Sequence, residues 1–202
     1  MDCILYRILR FIGRPIFKIL YLPKYIDRIN IPKKGPVILA GNHTNNLDAF
    51  IMIGGSTRVA HILAKKELFK NKLTNWFFRS MGCIPVDRKA TDGKAKNESI
   101  KVLESGKCIG IFPEGTINRT KGTETEVVIL PFKYGAVSMA QKTNAFIVPF
   151  AITGKYKLFK RSIQIRYGKP YKVRHDIETE NKKLMDIVSK MIMEDENARK
   201  KK

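Results

Sequence analysis

His43 and Asp48 stand with four residues between them in the stretch Val37-Ile38-Leu39-Ala40-Gly41-Asn42-His43-Thr44-Asn45-Asn46-Leu47-Asp48. Histidine is the side chain whose ordinary titration lies nearest neutral pH. A carboxylate that accepts one ring N–H fixes the tautomer and steadies the imidazolium. The other nitrogen is then left to take a proton from a hydroxyl. The plainer reading is that His43 ends a strand and Asp48 caps a helix. These two residues by themselves do not choose between the readings.

Two further clusters carry chemistry. Phe112-Pro113-Glu114-Gly115-Thr116-Ile117-Asn118-Arg119 ends an apolar run in a tight polar turn. Gly115 permits close backbone approach to a ligand, and Arg119 offers a fork of donors that matches phosphate. Glu114 repels an anion, so its expected part is to orient arginine or backbone groups. Gly82-Cys83-Ile84-Pro85-Val86-Asp87-Arg88 places a second arginine just beyond a short apolar run. Asp87 and Glu114 could each simply pair with a surface arginine.

The elements that must position these groups alternate along the chain. Residues 37–41 read as a strand, 48–53 as a helix stopping near Gly54-Gly55, and 59–64 as a strand. Residues 65–78 read as a helical region, 83–86 as a short strand, and 94–105 as a charged helix ended by Gly106. Residues 108–112 are continuously apolar, as in a buried strand. The spacing predicts a helix over 131–143 with proline in its first turn, a buried strand over 145–152, a half-exposed strand over 162–167 and a helix over 177–197. Such alternation predicts an α/β fold: one domain with a mixed, largely parallel central sheet covered by helices on both faces.

Residues 1–22 read as an amphipathic helix. Arg7, Arg10, Arg14 and Lys18 share one face, while Ile4, Leu5, Ile8, Phe11, Ile12, Ile16, Phe17 and Ile19 cover most of the rest. Pro15 is expected to kink this helix or end it near Gly13. The broad apolar sector beside a cationic stripe suits a helix lying in a bilayer interface. The alternative is a helix docked on the protein's own core. The expected division is therefore a membrane-association segment over 1–26 and a main domain over 27–202, with the proline-rich residues 23–36 as connector.

Composition narrows the partners. With 44% hydrophobic residues in 202, the chain can bury a real core. The formal charge of +21 attracts anions without saying which: nucleic acid, anionic lipid, a phosphorylated substrate or an acidic carrier protein. Cys3, Cys83 and Cys108 are odd in number and widely spaced. They form no metal-ligand pattern, so a reduced cytoplasmic setting is expected and no metal is. No uncharged run reaches the roughly 18–20 residues of a transmembrane helix. The arginines and lysine of residues 7–18 interrupt any signal-peptide core. No RNA-binding, zinc-finger or helix-turn-helix signature accompanies the charge, so nucleic acid is not an expected partner.

Taken together the clusters resemble the glycerolipid acyltransferase family of the 1-acylglycerol-3-phosphate acyltransferase type. Its four blocks occur in family order: 42–48, 82–88, 112–119 and Ile147-Val148-Pro149-Phe150. The lysine segment Ala64-Lys65-Lys66-Glu67-Leu68 is also similar, and the resemblance runs over about residues 31–168. It implies His43 as general base with Asp48 as its partner. It implies Lys65, Arg88 and Arg119 as ligands of the acceptor's phosphate. Asn42, Glu114, Gly115 and Thr116 would shape the site, and Pro149 would belong to its wall or to acyl-donor binding. The implied reaction moves an acyl group from an acyl carrier protein or coenzyme A thioester to the sn-2 hydroxyl of 1-acylglycerol 3-phosphate. That chemistry needs no cofactor beyond the cosubstrate. It implies a peripheral protein on the cytoplasmic face of the cell membrane, meeting lysophosphatidate and an anionic bilayer surface.

Two departures bear on the acceptor. Family members often carry serine where Asn45 stands and a basic residue where Ile117 stands. Glycerol 3-phosphate or a neutral lysolipid stays open as the acceptor, and a non-catalytic basic protein binding nucleic acid or membranes is the rival of a different class. No serine sits in a GxSxG elbow, and Cys83 and Cys108 lie in apolar strand contexts. Direct attack of the hydroxyl on the thioester is therefore expected, with no covalent acyl-enzyme.

Overall fold

The computed structural model describes residues 4–87, 93–120 and 128–201. Its elements in order are α1 (Ile4–Tyr21), β1 (Lys24–Ile26), β2 (Val37–Gly41), α2 (Asp48–Gly55), β3 (Ala60–Lys65), α3 (Lys72–Ser80), β4 (Ile84–Val86), α4 (Lys94–Glu104), β5 (Cys108–Ile111), α5 (Gly135–Thr143), β6 (Phe146–Gly154), β7 (Ile163–Tyr167), β8 (Tyr171–Lys172) and α6 (Ile177–Lys200). The strands form a single sheet in the order β1-β7-β6-β2-β5-β3-β4, with β8 also on β6. All pairings are parallel except those of β6 with β7 and β8. The expected mixed, largely parallel sheet is present.

Strand periodicity explains the two cores. Along β2, Ile38 and Ala40 face one side, where they meet Ile100 and Leu103 of α4, Val137 of α5 and Leu184 and Val188 of α6. Val37 and Leu39 face the other side, against Ile51 and Met52 of α2, with Phe17 and Tyr21 of α1 at the edge. A strand covered on both faces is apolar throughout, as β2 is. It is also central, with β5 on one side and β6 on the other. Because β2, β3, β4 and β5 run parallel, the turns that follow them emerge on one edge of the sheet.

Gly41 shows how tightly the end of β2 is held. A Cβ there would run into the carbonyl oxygen and ring of Phe150 on β6. The chain therefore leaves the sheet at a residue with no side chain.

Three expectations need correction. Pro15 does not end the first helix near Gly13; the helix is continuous over Ile4–Tyr21 with Pro15 inside it. Its missing N–H orphans the Phe11 carbonyl, but that stretch lies at the surface, with Phe11 83% exposed, where water can serve the carbonyl. Residues 131–134 are not helical, and α5 begins only at Gly135. Lys133 instead donates its N–H to the Pro113 carbonyl at 2.9 Å, so the segment is spent as a strap across the turn after β5. The connector over 23–36 contains β1, a three-residue strand defined only by its parallel pairing with β7. The sheet thus starts at Lys24.

Candidate active site

Asn42 begins the departure from β2. Its amide donates to the Ile152 carbonyl at 2.8 Å and accepts the Ile152 N–H at 2.7 Å. The side chain thereby imitates one more residue of the β2–β6 ladder while the main chain turns away. His43 follows, and both its backbone groups are taken by the turn after β5. Its N–H donates to Glu114 Oε1 at 2.7 Å, and its carbonyl accepts the Asn118 N–H at 2.7 Å. Two segments about seventy residues apart are thus one structure, because β2 and β5 are adjacent and parallel.

Asp48 is fully buried at the first turn of α2. Its Oδ2 lies 3.0 Å from His43 Nδ1 and accepts the N–H groups of Thr44 at 2.5 Å and Asn45 at 2.7 Å. Its Oδ1 accepts the Tyr156 hydroxyl at 2.7 Å. Donors to the charged form, together with the helix N-terminus, make this a well-satisfied carboxylate. Asn45 does turn work in addition, its Oδ1 accepting the Leu47 N–H at 3.0 Å. The His43 ring lies on Phe112, with ring centroids 4.2 Å apart and 20° between planes. With Nδ1 committed to Asp48 and one face covered, Nε2 is the nitrogen left for a substrate proton.

His43 lines a cavity of about 590 Å³ at the C-terminal edge of the parallel strands, where open α/β sheets bind ligands. Leu63, Ala64, Ile111, Phe112 and Met139 form its apolar part. Lys65, Lys66, Arg79, Lys94, Lys96 and Lys133 supply cationic groups. Lys66 pairs with Asp87 at 3.2 Å and Arg79 with Glu98 at 2.5 Å. Lys65 and Lys133 have no acidic partner among the described residues. Gly115 has φ +70°, and a Cβ there would meet the Lys133 side chain 2.9 Å away. Glycine at this turn admits both the left-handed backbone and the lysine.

The structure brings together His43, Asp48, Asn42, Glu114, Gly115 and Lys65. Thr116 and Arg119 stand exposed on the loop beyond and are not among the cavity-lining residues. Arg119 does follow directly on Asn118, which grips the His43 carbonyl. Arg88 lies outside the described residues. Pro149 is buried within β6, where its Cγ and carbonyl lie with Met191 Sδ against Gly168, and it is not among the cavity-lining residues. Among the described residues Asp87 pairs with Lys66.

Tyr156 and Lys133 are not legible in the sequence as site residues, since no local pattern marks them. Tyr156 comes from the segment between β6 and β7, and Lys133 from the strap before α5. Cys108 is fully buried, and burial pushes its thiol up to about 12, which leaves it unreactive near neutral pH.

Glu114 is a clamp. Besides the His43 N–H, it accepts the Leu130 N–H at 3.1 Å. Burial holds its carboxyl above the ordinary 4.5, and the two N–H donors draw part of that back. The folded state therefore keeps the proton longer than the unfolded chain. This contribution is fully present below about pH 4.5 and is lost as pH rises through the folded value. Glu114→Gln cannot titrate. The stability of the wild type relative to this variant is expected to fall as pH rises through that window, followed by urea midpoints from pH 4 to 7. A constant difference would remove the buried carboxyl as its cause.

Comparison with known proteins agrees with this geometry. The acyltransferase family profile matches residues 23–153. A 1-acyl-sn-glycerol-3-phosphate acyltransferase of Borreliella burgdorferi is 39% identical over 141 residues, covering 69% of this chain and 54% of that protein. One from Bacillus subtilis is 33% identical over 152 residues, covering 73% and 72%. This chain thus spans about half of the first relative and nearly three quarters of the second. The crystal structure of the 1-acyl-sn-glycerophosphate acyltransferase PlsC from Thermotoga maritima shares the fold, with a TM-score of 0.73 at 22% identity over 94% of this chain and 78% of that one. The histidine–carboxylate pair, the clamped turn and the matched profile lead to one conclusion: this chain belongs to the acyltransferase family.

Proposed function

We propose that this protein transfers a fatty acyl group from a thioester to the sn-2 hydroxyl of 1-acylglycerol 3-phosphate, giving phosphatidic acid. The observation that carries the reading is a histidine, locked by a buried aspartate, at the wall of a cavity that also holds lysines with no acidic partner among the described residues. The hydroxyl oxygen attacks the thioester carbonyl while His43 Nε2 takes its proton. Asp48 stabilises the imidazolium that forms. Collapse of the tetrahedral adduct breaks the carbon–sulfur bond, and the imidazolium returns the proton to the departing thiolate. Acyl carrier protein and coenzyme A both supply such a thioester.

The acceptor's phosphate is held by Lys65 and Lys133, and Arg119, on the exposed loop beyond the cavity, supplies a further donor, so the hydroxyl is presented to His43. Positioning of this kind supplies much of the barrier reduction. Charge-assisted hydrogen bonds to a phosphate are worth about 1.5–3 kcal/mol. Lys65→Ala and Arg119→Ala are therefore each expected to raise the acceptor KM roughly tenfold or more, with a smaller effect on kcat. Unchanged acceptor kinetics in either variant would withdraw that residue from the phosphate site.

The identity of the reaction is tested with purified protein and a panel of acceptors: lysophosphatidate, glycerol 3-phosphate and a neutral lysolipid, each with carrier-protein and coenzyme A donors. Phosphatidate as the dominant product is expected. Preference for another acceptor would reassign the substrate, and no transfer at all would overturn the activity.

The protein acts at the surface of the cell membrane, on its cytoplasmic face. Among the described residues no helix is long and apolar enough to cross a bilayer. The outward face of α1 carries Ile8, Phe11, Ile12, Ile16 and Ile19, all exposed, and Arg7, Arg14 and Lys18 flank it. Such a helix suits the plane of an anionic interface, where the acceptor resides.

A further inference from the structure

The helix α3 inverts the usual arrangement of a helix in a globular domain. Leu73, Trp76 and Phe77 recur at the spacing that makes an apolar stripe on one face. In a water-soluble fold that stripe turns to the core. Here no residue of α3 is buried. Leu73 is 74% exposed, Trp76 60% and Phe77 37%. Leu68, in the turn just before, is 44% exposed, and the exposed Lys70 and Lys72 stand at the N-terminal end of the stripe. The helix lies beside α1, whose own outward face is apolar with a cationic flank. Its other edge belongs to the site, since Arg79 lines the cavity.

We propose that α3 is a second bilayer-inserting element. Leu73, Trp76 and Phe77 enter the interfacial layer of an anionic phospholipid bilayer, and Lys70 and Lys72 take its headgroups. The proposal rests on the reading that α1 docks on a bilayer, and it adds the element that borders the cavity. The occupant is an anionic bilayer on two grounds. The helix that carries the stripe packs beside a cationic apolar helix, and an indole flanked by lysines suits the headgroup boundary. Docking through both helices sets the cavity at the headgroup layer, so a lipid acceptor reaches His43 without crossing bulk water.

Trp76 is the only tryptophan in the chain, so its emission reports on α3 alone. The full-length protein is mixed with vesicles of equal phosphatidylglycerol and phosphatidylcholine, and flotation and emission are followed together. Co-flotation is expected, with a blue shift and quenching by brominated acyl chains. Leu73→Ser with Trp76→Ser should weaken flotation by roughly tenfold for each side chain removed. Lys70→Gln and Lys72→Gln should weaken it roughly fivefold each. The serine double variant should still turn over a short-chain acceptor offered below its micelle concentration, since neither residue lines the cavity.

Flotation with unchanged Trp76 emission would overturn the proposal while leaving α1 as the docking element. Failure to float would overturn both. A blue shift that grows with protein concentration without lipid would assign the stripe to a second copy of the chain. An equal response on pure phosphatidylcholine would refute the selection of anionic headgroups.

Discussion

Asp48→Asn is expected to leave the fold standing and to lower kcat by on the order of a thousandfold. The asparagine oxygen can take the place of Oδ2 and keep accepting from His43, Thr44 and Asn45, whose donors lie within 2.5–3.0 Å. Its amide nitrogen then meets the Tyr156 hydroxyl, which can rotate to accept. What disappears is the negative charge that stabilises the imidazolium in the transition state. Asp48→Ala should behave differently. It strands the buried partners of a fully buried carboxylate, at about 1–3 kcal/mol for each unsatisfied group, so thermal stability should fall together with activity. Urea unfolding and steady-state kinetics on the two variants separate the roles. An asparagine variant with near-wild-type kcat would show that the carboxylate only caps α2.

His43→Ala is expected to lower acyl transfer by roughly 10²–10⁴-fold, the usual contribution of a positioned base. Its effect on stability should stay within about 1 kcal/mol, because the ring lies at the cavity wall and its removal leaves no closed void in the core. The backbone bonds of residue 43 to Glu114 and Asn118 involve no side chain of its own and should survive. Acceptor and donor KM values should change little, since binding rests on other groups. A folded His43→Ala protein that turns over near the wild-type rate would remove His43 as the base.

These two residues illustrate how much of the site is written locally in the chain. The strand-turn-helix around His43 is legible because an apolar run breaks at Gly41 and a polar cluster follows. The turn at Glu114 is legible for the same reason. Most elements lie near their expected places, because strand and helix periods are local properties. The differences fall where local rules lose to tertiary partners or to solvent. Pro15 does not break α1, since the surface tolerates its orphaned carbonyl. Residues 131–134 lose their expected helix to the hydrogen bonds of the strap.

The side chains facing the site are less visible. Tyr156 reaches Asp48 from 108 positions away, and nothing around it marks it as a catalytic neighbour. Its surroundings are aromatic: Tyr21 of α1 lies 5.7 Å from its ring and Phe17 6.4 Å. Lys133 is one of many lysines in a basic chain and becomes distinct only beside Gly115. Arg119 and Pro149, by contrast, stand in suggestive blocks, yet neither lines the cavity.

By itself the sequence determined the class of fold, the histidine and carboxylate with their spacing, and the glycine turn that follows them. These depend on periodicity and on residue chemistry within a few positions. Only the tertiary structure decided that β2 and β5 run side by side in the same direction, which joins the His43 turn to Glu114 and Asn118. It alone decided which cations face the cavity, and that the apolar stripe of α3 points outward. Strand order and the burial of a helix face depend on contacts between distant segments, and no local pattern of residues encodes them.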